Sequence, residues 1–375
     1  MAAEVGLVYD DRYLQHNPGA ALLPGSGRPY PFVDHLLHPS NHLLVARVKH
    51  LLDLTGLARR FTRIDARPAT DDDLLAYHTA AYLARVAALS DGAGGDTGDR
   101  APIGPGGDAI ARLAAGGVLA AVDAVMGGVV DRAFALVRPP GHHAMADHGM
   151  GYCVYNNVVV AAHHARRRWG LERVLVVDWD VHHGNGTQDA FYTDPHVLFI
   201  SLHQDNLYPQ GWGSVEQVGH GPGSGFTVNV PLPAGTGNHG YAAAFAQVVA
   251  PIARQFQPQF VLVSAGQDGS NADPEGRMCL TTDGYRAMTT ALRAVADDCC
   301  DGRLALLQEG GYAEFYAPYC TLAILEALAD ARTGVEEPFP PERVAAMPQT
   351  LSLSLDAAAA LEQVRRAQQR YWSDL

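Results

Sequence analysis

The stretch LVVDWDVHHGNGTQD, residues 175–189, opens as an apolar run and closes with two aspartates and two adjacent histidines. Buried strands rarely hold charge, because an unpaired ion taken out of water is heavily penalised. Alternate side chains of a strand share a face. Asp178, Asp180 and His182, spaced i, i+2, i+4, therefore line up on one side if the strand persists to its tip. Two carboxylates and an imidazole packed together repel and desolvate badly unless a cation sits among them. The plain alternative is a set of capping or turn residues, which suits a lone aspartate better than a D-x-D-x-H run. A divalent ion needs further ligands, and Asp268 in SAGQDGSNADP follows the apolar stretch 260–266. Two oxygens and one nitrogen suit Zn2+ with a position left open for water. Asp273 competes for that role, but it precedes Pro274 and reads as a turn residue.

RPPGHHA supplies His142 and His143. Taken alone, adjacent histidines are as readily a solvated pair. Beside an oxygen-rich metal site they make sense as acid and base, because an attacking water needs a base and a leaving amine needs a proton. Asp178 is placed to orient His142, and Asn185 to orient His143. A carboxylate partner raises a histidine's affinity for protons more than a neutral amide does, so the two should differ in protonation. In QEGGY the paired glycines let the backbone fold tightly. Tyr312 after them could aim its hydroxyl at a carbonyl under attack, as an oxyanion clamp; in isolation it reads as a packing residue.

Short apolar runs must position these residues. Strands are predicted at 5–9, 133–137, 173–179, 197–202, 226–230, 260–266 and 304–308, several as near-continuous Val/Leu/Ile runs of the kind covered on both faces. Helices are predicted between them at 107–126, 155–169, 239–255, 283–298 and 314–329. This βαβ rhythm gives an α/β fold: a single open, mostly parallel sheet with helices on both faces. The loops at 90–107, 138–152, 266–278 and 309–312 carry the His, Asp and Gly. Ligands bind outside the carboxyl ends of strands in such sheets, so these loops point to one shared site. No internal repeat or second domain is visible. The expectation is a single domain over 1–375, with a core from about 5 to 330 and a peripheral C-terminal helix or tail over 335–375.

Composition narrows the function classes. Apolar residues make up 47% of the 375, enough for a sizeable core. The formal charge of −13 argues against binding a nucleic-acid backbone and suits cationic substrates, although solubility alone accounts for it. Lys49 is the one lysine among 27 basic residues, a bias read as GC-rich bacterial coding. Five cysteines, an odd number without a CxxC pair, point to a reduced cytoplasmic protein. The N-terminus lacks a basic n-region, and no long uninterrupted apolar run suggests a membrane span. The chain is compatible with a homo-oligomer.

Taken together, RPPGHHA, GYCVYNN, VDWDVHHGNGTQD, ISLHQ, NVPLPAGTG, SAGQDGSNADP and QEGGY resemble, in order, the zinc-dependent histone deacetylase family within the arginase/deacetylase fold. The resemblance spans about residues 5–330. PPGHHA and Asn185 look like class II and its bacterial amidohydrolase relatives. The resemblance implies Zn2+ on Asp180, His182 and Asp268, proton handling by His142 and His143 with His143 the main base, and Tyr312 on the acyl carbonyl. It also implies an acyl channel lined by Gly151 and Tyr152 with Tyr208 opposite, where the family usually has Phe at both aromatic positions. Asp96 or Asp99 resembles the rim carboxylate that holds substrate amides. A structural K+ is implied near Asp178, Asp180, His182, Ser201 and Leu202. Gln267 stands where the family usually has Phe, which alters packing but not ligation.

Glu275, in ADPEGRM, departs from the Leu of many members and is similar to the Glu of the polyamine deacetylase branch, where it selects a cation. A carboxylate about 5 Å from an ammonium is worth roughly 3 kcal/mol at an effective dielectric of 20. Solvent at a rim cuts that to about 1 kcal/mol, or five- to tenfold. The bland alternative is a solvated turn residue. The short helix that narrows the channel in that branch is not recognisable in residues 9–32. The expected function is a bacterial amidohydrolase for N-acetylated primary amines, small-molecule or peptide. Acetylpolyamines come first, acetyl-lysine in peptides or proteins second, and a natural-product amide is a further alternative. An arginase-like two-metal hydrolase would need more ligands around the first site. A non-catalytic binding protein would not need the histidines and Tyr312.

Overall fold

The computed structural model describes residues 4–23, 28–32, 36–346 and 352–375. Eight strands form one all-parallel sheet: β1 Val5–Val8, β2 Thr62–Ile64, β3 Arg132–Ala135, β4 Val174–Asp178, β5 Val197–Gln204, β6 Thr227–Leu232, β7 Phe260–Ala265 and β8 Leu304–Gln308. Their order across the sheet is β6-β5-β4-β7-β8-β3-β1-β2. Successive residues of one strand fill different layers. Leu175 and Val177 join the apolar cluster on one face, while Val174 and Val176 join the cluster on the other. Burial on both faces is why these strands read as unbroken apolar runs.

The helices follow the predicted stretches with shifted ends. The predicted 155–169 helix starts at Asn157, because the Asn156 side chain caps it by accepting the Val159 N–H. The predicted 239–255 helix is continuous but widens to a π turn at Phe245–Val249, ahead of Pro251. Proline lacks the N–H that an α-turn needs there, and the wider turn relieves its ring clash. The predicted 314–329 helix runs Ala317–Leu328 with Pro318 in its first turn. Helices Leu43–Leu54 and Ala80–Asp91 and the three-residue strand β2 escaped the sequence reading. The long apolar helix Gly107–Met126 could cross a membrane by length and composition alone, but 72% of its most apolar window is buried in the fold. It packs on β3 and β1 as a core helix.

In the tail, helix Leu355–Gln368 buries Leu361 and Val364 and lies along edge strand β6. Gln368 Nε2 donates to the Thr227 carbonyl and Trp372 Nε1 to the Gly225 carbonyl, each at 3.0 Å. This covers an otherwise open edge.

The connectivity fixes where the loops meet. From β4 the chain moves outward to β5 and β6; from β7 it moves the opposite way to β8. β4 and β7 are neighbours, so a crevice opens beyond their carboxyl ends, at Asp178 and Ala265.

Candidate active site

The expected straight strand tip does not form. β4 ends at Asp178, and the chain turns through residues 179–184. The three aspartate and histidine side chains therefore part company. Asp178 Oδ2 lies 2.9 Å from His142 Nδ1, while Asp180 and His182 turn toward Asp268 from the β7 loop. Backbone N–H groups at the turn supply the ordering: Asp178 Oδ1 accepts from Asp180 at 3.1 Å, and Asp268 Oδ1 accepts from Val181 at 2.8 Å. These carboxylates outbid a further ladder bond, which is why the strand stops.

Asp180, His182 and Asp268 are buried, and one ligand atom from each lies within 4.8 Å of the others. His182 Nδ1 stands 3.2 Å from Asp180 Oδ1 and 3.1 Å from Asp268 Oδ2. One ring nitrogen carries at most one hydrogen, so it cannot serve two carboxylates fully. Burial, with Asp180's charge beside it, drives the Asp268 carboxyl well above its usual range. Burial works against the His182 imidazolium, yet the two carboxylates push its pKa up to about 10. A divalent cation at the common point would relieve this crowding, and an O, N, O donor set suits zinc. The glycine of the β8 loop is part of the cradle. The Gly310 N–H donates to Asp180 Oδ2 at 2.9 Å, and a side chain there would run into the Asp180 and Asp268 carboxylates.

The His142 and His143 rings pack with centroids 4.0 Å apart, tilted by 40°. His143 Nδ1 is 2.8 Å from Asn185 Oδ1. Burial lowers the proton affinity of both, but the charges of Asp180 and Asp178 overcome it at His142, whose pKa rises well above the ordinary value. At His143 burial wins, aided by the neighbouring positive charges of His142 and His182, and its pKa falls well below that value. Tyr312 closes the far side; burial raises its phenol well above the usual range, keeping it a donor.

Two buried carboxylates behind these groups have roles that the sequence reading did not give them. Glu309 is pushed up to about 7 by burial and accepts the Gly141 N–H at 2.6 Å, the His142 N–H at 3.3 Å and the Ser264 hydroxyl at 3.0 Å. Asp273, read as a turn residue, does accept the Glu275 N–H at 3.0 Å, but it is buried. Its Oδ2 also accepts the N–H groups of Tyr312 at 2.7 Å and Ala313 at 2.9 Å. Both carried a signal in the sequence: Glu309 lies inside QEGGY, and Asp273 lies in SAGQDGSNADP as the carboxylate that competes with Asp268. Gln267 in turn ties the β7 and β8 loops: its Oε1 accepts from Gln308 Nε2 at 2.6 Å and its N–H donates to the Gly310 carbonyl at 2.8 Å.

A narrow cleft leads outward, lined by Arg100, His143, Gly151, Tyr152, His182, Tyr208, Glu275 and Tyr312. Tyr152 meets Tyr312 edge-on at 5.7 Å, and Tyr208 meets His143 at 5.2 Å across the opening. Gly151 takes φ +49°, and a side chain there would press on the His143 ring. The two rim aspartates separate. Asp96 folds back on its own turn, accepting from the Gly98, Arg100 and Ala101 N–H groups at 3.0 Å. Asp99 reaches the channel wall, accepting the Tyr208 hydroxyl at 3.3 Å. Ser201 pairs with Asp178 across β4 and β5, and Leu202 follows it in the core. Among the described residues of 9–32 there is one short turn of helix, Asp11–Gln15, and the described residues from 16 to 42 hold none.

A family model for the histone deacetylase domain matches residues 38–328. A histone deacetylase-like amidohydrolase of Pseudomonas aeruginosa is 45% identical over 342 residues, covering 90% of this chain and 89% of that one. A probable deacetylase of Archaeoglobus fulgidus is 36% identical over 378 residues, 98% of each chain. The human polyamine deacetylase HDAC10 is 38% identical over 340 residues, 85% of this chain but 47% of its own length. Among solved structures, the HD domain of HDA15 superposes with a TM-score of 0.86 at 32% identity, covering 99% of this chain and 96% of that one.

Proposed function

This chain belongs to the histone deacetylase family, and from that premise we propose that it deacetylates primary amines whose far end is cationic. It has the arginase/deacetylase fold, and it is a deacetylase of the C–N hydrolase kind. Acetylpolyamines are the first substrate class under this reading, and acetyl-lysine in peptides or proteins is the second. The observation that carries the proposal is that a single cleft joins His143, His182 and Tyr312 at its base to Glu275 along its wall.

The family is zinc-dependent, and Asp180, His182 and Asp268 would hold the ion. When bound, it supplies Lewis-acid polarisation of the amide carbonyl and makes the attacking water more acidic. The chain's own residues do the rest. Asn185 fixes the His143 Nδ1–H, which leaves Nε2 free as a neutral base for the water's proton. His142, held charged by Asp178, adds positive potential where negative charge develops. The Tyr312 hydroxyl donates to the carbonyl oxygen as it becomes an oxyanion. His143 then returns the proton to the departing amine. Asp99 is the better placed rim carboxylate for a substrate N–H, since Asp96 is spent on its own turn. A structural K+ held by Asp178, Asp180, His182, Ser201 and Leu202 completes the reading. All five cysteines are free, in keeping with work in the reducing cytoplasm.

The test is kcat/KM for the zinc-loaded protein on N-acetylputrescine, N8-acetylspermidine and an acetyl-lysine peptide, with Glu275→Leu alongside. The expected result is a five- to tenfold lead for the polyamines that the substitution removes. A lead for the peptide, with no change in Glu275→Leu, would make Glu275 a surface residue and the enzyme a general acyl-lysine deacetylase.

A further inference from the structure

Glu275 is not the sole charge at the cleft mouth. Arg100 lines the same cleft, with Tyr152 and Tyr208 as further walls. Its guanidinium carbon sits 5.3 Å from the centre of the Tyr208 ring. The backbone beneath it is pinned on both sides: its N–H donates to Asp96 Oδ2 at 3.0 Å, and its carbonyl accepts the Tyr152 N–H at 2.8 Å. Arg100 adopts φ +59°. That left-handed geometry favours glycine and strains a residue that carries a side chain. Such strain persists where the surroundings over-determine it, often at ligand contacts. Among the described residues, neither Arg100 nor Glu275 has an ion-pair partner. Burial raises the pKa of the Tyr152 phenol; the Glu275 charge raises it further, while Arg100, by its charge and a side-chain hydrogen bond, lowers it.

Arg100 and the rim carboxylates Glu275 and Asp99 complement an acetylpolyamine in part: the carboxylates attract its ammonium, and Arg100 is left without a counterpart. Cation and carboxylates together are complementary to a zwitterion. We propose that Arg100 is a specificity-determining residue that binds a substrate carboxylate, so that Arg100 and Glu275 together select acetylated amines ending in a free α-amino acid group. Nε-acetyl-lysine as the free amino acid is the simplest member: its acetamide enters the cleft while its α-carboxylate meets Arg100 and its α-ammonium meets Glu275. Hydrolysis breaks the amide C–N bond; water supplies the oxygen that makes acetate and both protons that turn the amide N–H into the ε-ammonium, giving lysine. This rests on the deacetylase reading of the same site and narrows it.

The experiment measures kcat/KM of the zinc-loaded protein on three amides of equal chain length. These are Nε-acetyl-L-lysine, N-acetylcadaverine, which lacks only the carboxylate, and N-pentylacetamide, which lacks both charges. Arg100→Gln, Arg100→Lys and Glu275→Leu are run alongside. The expected result is a roughly five- to tenfold lead of acetyl-lysine over acetylcadaverine. Arg100→Gln should abolish that lead and Arg100→Lys should retain part of it. Glu275→Leu should instead erase the lead of acetylcadaverine over pentylacetamide. A preference for acetylcadaverine, or a ratio that Arg100→Gln leaves unchanged, overturns this inference and leaves the cation gate standing. Failure to turn over any of the three overturns the inference and the deacetylase reading together.

Discussion

Tyr312 is held in place by a buried carboxylate that is not part of the cleft lining. Both the Tyr312 and Ala313 N–H groups end on Asp273 Oδ2, while Oδ1 takes the Glu275 N–H. Asparagine has one oxygen, so Asp273→Asn must turn its NH2 toward at least one of these donors. Small displacements of a catalytic hydroxyl are costly in rate. The expected outcome is a fall of about tenfold in kcat with KM and zinc stoichiometry nearly unchanged, against at least about 100-fold for Tyr312→Phe or His143→Ala. Steady-state kinetics with metal analysis checks all three. A normal kcat in Asp273→Asn would make Asp273 a turn residue after all.

The loop from Arg138 to Asn156 carries both histidines and one channel wall, and it is stapled from outside by His78. His78 Nδ1 lies 3.0 Å from the Met145 carbonyl, and its Nε2 accepts the Asn156 N–H at 2.9 Å. The Nδ1–H can donate in either protonation state, but Nε2 can accept only in the neutral ring. Burial lowers the His78 pKa to about 4, although its backbone partners pull it upward. The unfolded chain, with an ordinary histidine, therefore binds more protons than the folded one between about pH 6.5 and 4. Stability is full above that window and is lost as pH falls through it. The His78 share between pH 7 and pH 5 is about 2 kcal/mol. His78→Gln should be less stable at pH 7 but lose about that much less on going to pH 5. Urea unfolding of both proteins at both pH values measures it; parallel losses would mean that His78 does not couple folding to protons.

At the scale of the molecule, the sheet's reversal between β4 and β7 brings four loops to one crevice, and the net charge of −13 gives the protein as a whole an attraction for cations. Long-range attraction of a cation is screened within about 8 Å at physiological salt. Raising NaCl from 50 to 500 mM should lower kcat/KM for dicationic N8-acetylspermidine by about threefold and leave neutral N-pentylacetamide nearly unchanged. Equal responses for the two would assign the acidic surface to solubility alone.

The strand runs, the order of the loops, the chemical types at Asp180, His182, Asp268, His142, His143 and Tyr312, and the oddity of Glu275 are all local, because each is a matter of residue type and spacing over a few positions. The sequence determined these, and with them the fold class and the kind of chemistry. Tertiary structure decided the pairings. Asp178 and Asp180, two residues apart, serve different partners, at His142 and His182, because the strand stops where backbone N–H groups find carboxylates instead of a ladder. Asp273 looked like a turn residue and is a buried support; Asp99 rather than Asp96 reaches the wall; Arg100 joins Glu275 on one rim. Each of these depends on contacts between segments far apart in the chain. Burial and hydrogen-bond competition settle such contacts only when the whole sheet has closed around them.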